Sequence, residues 1–259
     1  MPRVLVENEM NSDNSASLYT PQVSVLIPVY NDIDRVGLCI EKLGAMTFPK
    51  DKYEVIIVDN GSSDGTYELL QKLISELDEK AFRLIQCLTP GSYAARNEGL
   101  KLAQGEFVAF TDSDCVVSEN WLQSLLDCWK AQSGRTVVAG KVSFFSDSAK
   151  NTEQCALDFE NMFSMKQDQN AKNGKCITAN LFCTKQLLET HGGFNEKLKS
   201  GGDVEFSQRV VSSGGKIVYS EKAEVFHPSR NKEELLIKRK RVVGGTWDAE
   251  LSKASVGRK

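Results

Sequence analysis

No stretch of this 259-residue chain approaches the ~20 consecutive apolar residues that a membrane-spanning helix requires. Met1 to Thr20 contain no long apolar stretch, so no secretory signal is expected. The seven cysteines (Cys39, Cys87, Cys115, Cys128, Cys155, Cys176, Cys183) include no Cys-x-x-Cys pair, and their number is odd. Several sit in apolar stretches, where a reduced cysteine acts as a small hydrophobe, so a reducing cytoplasm is the expected compartment. Neither a Gly-x-Gly-x-x-Gly after the first apolar run nor a Gly-x-x-x-x-Gly-Lys-Ser/Thr occurs, which excludes the usual dinucleotide fingerprint and the P-loop. There is no internal repeat and no low-complexity segment. With a formal net charge of -3, no global field favours nucleic acid.

What is present is a globular composition, 41% hydrophobic and 26% charged, long enough to bury a large core. Charge is uneven: Pro228 to Lys259 carry nine Lys/Arg against four Asp/Glu. Apolar runs Val23–Ile27, Tyr53–Val58, Phe82–Cys87 and Glu106–Thr111 read as buried strands. Helical spacing between them predicts helices from Ile33 to Leu43, after Asp64-Gly65-Thr66, and from Tyr93 to Ala103. This β-α-β-α-β-α-β order predicts an α/β fold, a mostly parallel central sheet covered by helices on both faces. Further on, a strand is expected over Thr136–Phe145, a helix over Asn151–Met165, a strand over Cys176–Cys183 and a helix over Asp203–Ser212. Two short strands, Lys216–Tyr219 and Ala223–Phe226, and a basic helix, Lys232–Arg241, complete the pattern. Trp121 and Trp129 share a predicted helix and are read as core; Trp247 is read either as a sugar-stacking or as a half-buried ring.

Parallel sheets bind ligands beyond the carboxyl ends of their strands, and each chemistry-bearing motif falls there. The first strand ends in Pro28-Val29-Tyr30-Asn31, where Tyr30 can stack on a base and Pro28 can shape the turn. The second ends in Asp59-Asn60-Gly61-Ser62-Ser63-Asp64-Gly65-Thr66. Asp59 is placed to accept from a ring N–H, and Asp64 or Ser63 to cap the next helix. Arg96, one turn into a small-residue helix, is within reach of a phosphate or of a neighbouring acidic pair. The fourth strand leads into Thr111-Asp112-Ser113-Asp114, two carboxylates that can face one hard divalent cation.

Together these segments, with Gly192-Gly193-Phe194-Asn195-Glu196 and Gly201 to Arg209, resemble family 2 glycosyltransferases of the GT-A fold, inverting and of the bacterial surface-polysaccharide type. The resemblance covers roughly residues 22–230. It implies uracil contacts at Tyr30 and Asp59, with Pro28 beside them, and a diphosphate brace at Arg96. Asp112 resembles the carboxylate addressing the ribose or a metal-bound water, and Asp114 the direct ligand of Mn2+ or Mg2+. Asp203 resembles the catalytic base. His227 resembles an additional metal ligand of some members, with a purely structural histidine as the alternative; His191 is read as structural.

Two positions depart from the family pattern. Asn60 stands where many members carry a second Asp. Gly202 stands where an acidic pair usually begins, which leaves Glu205 as the second candidate base; Glu205 also suits a salt bridge along the helix face. The implied activity is metal-dependent transfer of one sugar from a UDP-sugar to a glycan or lipid-linked acceptor, in polysaccharide or glycoconjugate biosynthesis. Single transfer is expected because neither membrane spans nor the Gln-x-x-Arg-Trp motif of polymerising members occurs. The alternatives are a sugar-phosphate nucleotidyltransferase, which would need a Gly-rich loop where Pro28-Val29-Tyr30-Asn31 stands, and a non-catalytic carbohydrate-binding protein. The expected layout is a polar extension (1–21), a GT-A domain (22–230) with nucleotide-binding (22–115) and acceptor-binding (116–230) halves, and a basic C-terminal helix and tail (231–259). Lys238, Arg239, Lys240 and Arg241 suit peripheral contact with anionic lipid at the inner face of the plasma membrane; a flap over the donor or a solvated helix face is the alternative.

Overall fold

The apolar runs do what their composition demands: they become the interior of one sheet. The computed structural model describes residues 20–77, 81–146 and 152–243, with side chains as far as Ile237. The strands are β1 (Val23–Val29), β2 (Tyr53–Asp59), β3 (Phe82–Gln86), β4 (Phe107–Phe110), β5 (Val116–Val117), β6 (Thr136–Phe145), β7 (Leu181–Thr184) and β8 (Lys216–Pro228). They form an eight-stranded sheet in the order β3-β2-β1-β4-β7-β6-β8-β5. The β3-β2-β1-β4 half is parallel; β7 is antiparallel to both β4 and β6, and β8 runs parallel to β6. The sheet passes unbroken from β4 into β7, so residues 22–115 and 116–230 share one layer.

Helices cover both faces, and strand alternation sorts the core in two. Val25 and Ile27 of β1 face α1 (Val36–Gly44), α2 (Thr66–Glu76) and α4 (Trp121–Lys130). Leu26, Ile56 and Val58 face α3 (Ser92–Leu102) and Phe206 and Val210 of α8 (Gly202–Ser212). α5 (Gln154–Phe163) lies against β6, α6 (Gln167–Lys172) against β6 and β8, and α7 (Lys185–Thr190) against β7, while α9 (Lys232–Val243) follows β8. Trp121 is fully buried and Trp129 packs partly buried against the same core, as expected.

Three sequence expectations are corrected. α1 begins at Val36 rather than Ile33, because the Asp32 carbonyl accepts from both Arg35 and Val36 and holds 32–35 as turns. The strand expected over 176–183 is only β7; Thr178–Asn180 form a 3-10 turn. There, side chains replace a ladder: Ser207 accepts from the Cys176 N–H, Gln167 bonds both the N–H and the carbonyl of Ile177, and Asp203 accepts from the Thr178 N–H. The two strands expected at 216–226 are one strand, β8, whose register against β6 jumps opposite Gly140 and Lys141. Glu221, Lys222 and Ala223 are a bulge within one continuous strand.

A buried amide locks that bulge. Asn180 accepts from the Trp121 indole N–H and donates to the carbonyls of Lys141 and Ala223. Gly140 leaves room for it: a Cβ there would lie 2.3 Å from the Asn180 Nδ2. Gly140→Ala therefore overpacks the site and breaks buried hydrogen bonds. A loss of about 2–4 kcal/mol is expected from urea unfolding; an unchanged midpoint would refute this account of the bulge.

Candidate active site

The carboxyl ends of β1, β2 and β4 open on a cleft of about 980 Å³, a volume suited to a nucleotide-sized ligand. Its first wall is built by lacing two loops. The Asn31 N–H donates to Ser62, the Ser63 N–H to the Asn31 side chain, and the Asp32 N–H to Thr66. Asn31 adopts left-handed backbone (φ 49), which asparagine tolerates. Asp64 accepts from the N–H and hydroxyl of Thr66 and from the Ile33 N–H, and the Thr66 hydroxyl bond leads in holding its carboxyl below the usual range. The N-cap of α2 is Gly65, so Asp64 braces the start of the helix from one position earlier rather than capping it. Tyr30, 62% exposed, stands at the rim, and Pro28 lines the floor just beyond the end of the β1–β4 ladder, where a missing donor disturbs no pairing with β4.

Asp59 is placed differently from Tyr30. It is fully buried, and its carboxylate accepts from the N–H groups of Gly61 and Ser62. It lies behind the cleft wall, which Asn60 and Gly61 form. A carboxylate has about four lone-pair directions, so acceptor capacity remains. The Asn60 departure has a physical cause: its amide donates to the Cys87 and Thr89 carbonyls and accepts from the Gly91 N–H. An aspartate there would have no donor, and the loop between β3 and α3 would lose two bonds.

At the cleft centre Arg96, 4% exposed, donates to Asp112, while its Nε finds no protein partner. Arg96 therefore braces the acidic pair and keeps one buried donor unspent. Ser113 donates to Asp32, which also pairs with Arg35. Sequence reading did not single out Asp32, Arg35, Ser113 or Lys199 as cleft residues, although Asp32 directly follows a quoted motif.

Asp112, Asp114, Cys115 and His227 each offer one ligand atom, all within 4.8 Å of one another. His227, 7% exposed, has Nδ1 2.7 Å from the Pro228 carbonyl, so Nδ1 donates there and Nε2 is the nitrogen turned toward the acidic pair. That Nε2 lies 3.7 Å from an Asp114 oxygen. Burial raises the Asp114 pKa; His227 opposes that shift, and Asp112 and Asp32 add to it. Burial also pushes the Cys115 thiol well up, so it stays protonated and is a poor donor for a hard cation. Two carboxylates crowded against an oriented imidazole fit a divalent cation, which would relieve their repulsion. The residues that would hold it are Asp112, Asp114 and His227.

Asp203 sits in the first turn of α8, half-buried behind Tyr93 and Thr178 of the cleft wall. It accepts from the N–H groups of Val204 and Thr178 and from the Tyr93 hydroxyl. Burial raises its pKa; the Val204 N–H and the Arg96 charge pull the other way. Glu205, the other candidate base, is tied to Arg209 at 2.8 Å along the helix, and His191 bonds Leu187 and Ser213. Thus Tyr30, Pro28, Arg96, Asp112, Asp114 and His227 share one cleft, and Asp59 and Asp203 stand directly behind its walls. Trp247 lies outside the described residues; Lys238, Arg239, Lys240 and Arg241 belong to α9 beyond the described side chains.

Comparison with known proteins agrees with this geometry. Residues 24–186 match the glycosyl transferase family 2 model. The glycosyltransferase AglE of Haloferax volcanii is 36% identical over 225 residues, 87% of this chain and 73% of that protein. The poly(ribitol-phosphate) beta-N-acetylglucosaminyltransferase TarS of Staphylococcus aureus is 28% identical, and the chain spans 36% of its length. Among solved structures, the Pyrobaculum calidifontis mannosyltransferase PcManGT, in complex with GDP-Man and Mn2+, superposes with a TM-score of 0.64 at 20% identity, over 81% of this chain and 57% of that one. TarS 1–349 with UDP-GlcNAc gives 0.60 at 23%, over 81% and 59%. The chain belongs to glycosyl transferase family 2 and is a glycosyltransferase of the GT-A fold.

Proposed function

We propose that this cleft binds a UDP-sugar with a divalent cation and passes one sugar, with inversion, to a glycan or lipid-linked acceptor. The observation carrying this reading is the donor set Asp112, Asp114 and His227 at the cleft centre, with His227 Nε2 left free by the Pro228 bond. The uracil lies between Tyr30 and the Asp59 loop; the uridine donor class is supported by the TarS structures, which hold UDP and UDP-GlcNAc. Arg96 braces the diphosphate side by holding Asp112 in place.

Bound metal would neutralise charge on the departing diphosphate. Asp203 receives the acceptor hydroxyl proton as the acceptor oxygen bonds to the anomeric carbon, and the bond to the diphosphate breaks with its electron pair leaving on oxygen. Burial suits Asp203 to this task because it makes the carboxylate more basic. An imidazole beside two carboxylates favours Mn2+ over Mg2+. Residues 22–115 serve the donor and 116–230 the acceptor. Among the described residues no helix is long and apolar enough to cross a membrane. A cytoplasmic enzyme resting on anionic lipid through Lys238, Arg239, Lys240 and Arg241 accords with a lipid-linked acceptor.

A panel of UDP- and GDP-sugars, assayed for nucleotide release with Mn2+ and then Mg2+, tests the donor class. UDP-sugars with Mn2+ should lead, and the product anomer read by NMR should be inverted. Turnover of GDP-sugars alone, or retention at the anomeric carbon, would overturn the proposal.

A further inference from the structure

Tyr93 has both its ring and its hydroxyl fixed by the fold. The ring is 6% exposed and packs on Phe194 at 5.7 Å, and the Arg96 guanidinium lies 5.8 Å from its centroid. Phe194 is itself wedged between Phe110 and Phe206. On its other side the ring meets the backbone of Gly202, where an added Cβ would lie 2.8–2.9 Å from three ring carbons. Gly202 is helical, a conformation open to any residue, so the ring and not the backbone demands glycine there. Held this way, the Tyr93 hydroxyl reaches an Asp203 oxygen at 3.3 Å.

We propose that Tyr93 is a positioning residue for Asp203, and that glycine at position 202 is what seats the Tyr93 ring. The proposal rests on the assignment of Asp203 as the base. One Asp203 oxygen accepts from Tyr93 and the Val204 N–H, the other from the Thr178 N–H, and these three donors set the plane of the carboxylate. The ionisable groups facing it are Tyr93 and Arg96 from α3 and the Cys176 thiol from the segment before β7. Burial raises the Tyr93 hydroxyl to about 12, so it donates throughout the neutral range. Removing the hydroxyl removes one donor to the anion while Arg96 stays, so the base should become harder to ionise and less well aimed.

Steady-state kinetics of Tyr93→Phe with UDP-sugar and Mn2+ is the test. A roughly tenfold fall in kcat is expected, the size of one hydrogen bond to a charged group. Donor KM should stay within about twofold, and the acid limb of the kcat–pH profile should move to higher pH. Gly202→Ala should lower kcat in the wild-type background and have little effect in Tyr93→Ala, because the clash partner is gone. Wild-type kcat and an unmoved acid limb in Tyr93→Phe would overturn the proposal, as would equal effects of Gly202→Ala in both backgrounds. Asp203→Asn separates the two levels. If it retains turnover, the base assignment fails; if it is inactive while Tyr93→Phe behaves as wild type, only the role of Tyr93 fails.

Discussion

Asp203→Asn should lower kcat by about 10²–10⁴-fold, the range expected on losing a positioned general base. The binding of UDP should change by no more than about twofold, because Asp203 sits behind Tyr93 and Thr178, away from Asp114 and Tyr30. Stability should not follow activity. Burial raises the Asp203 pKa in the folded chain above its unfolded value, so the folded state holds that proton more tightly. The ionised carboxylate therefore costs stability as pH rises from the unfolded pKa through the folded one, and that cost is complete above the latter. An asparagine carries no such cost, although its NH2 leaves at least one of the three donors unmatched, so at neutral pH the two effects oppose and the urea midpoint should stay close to that of the wild type. Tracking kcat, UDP affinity and the urea midpoint on one preparation distinguishes this from a folding defect. A stable variant with wild-type turnover would remove Asp203 from the mechanism and return attention to Glu205, despite its bond to Arg209.

The second large effect is expected at the metal cluster. Asp114→Ala removes the carboxylate that lies nearest the free His227 nitrogen and crowds Asp112. Turnover should fall at least ~10³-fold, since both the cation and its charge stabilisation of the leaving group are lost. Electron paramagnetic resonance reads the cause directly. Wild-type protein with UDP should quench the signal of free aqueous Mn2+, and Asp114→Ala should not. His227→Ala should weaken Mn2+ more than Mg2+, because it removes the only nitrogen donor in the cluster and leaves oxygen. Equal losses for both ions would assign His227 a packing role against Phe144 instead.

The parts of this fold that were legible from sequence are those governed by local pattern. β1, β2 and β4 are short, wholly or nearly wholly buried runs, and the helices between them show one apolar face, so period and composition sufficed. Asp112 and Asp114 were legible because they follow β4 by two and four residues. Other features depend on partners distant in sequence. Cys176 to Asn180 has the composition of a strand, yet Gln167, Ser207 and Asp203 satisfy its backbone. β8 read as two strands because nothing local reveals that Asn180, some forty residues earlier, bonds the Ala223 carbonyl beside the bulge. Asn60 read as a loss of an acidic group, whereas the structure shows a loop brace that needs an amide donor. Tyr93 and Asp203 are 110 residues apart, and the glycine that lets them meet looked only like a missing acid.

The central claim is that Asp112, Asp114 and His227 gather a cation that makes this cleft a site for a nucleoside diphosphate. Calorimetric titration of UDP into the wild-type chain, once with Mn2+ and once with excess chelator, tests it most directly. Saturable one-to-one binding with Mn2+, weakened at least about tenfold by chelation, is the predicted result. UDP binding of equal strength in both conditions, or none in either, would contradict it.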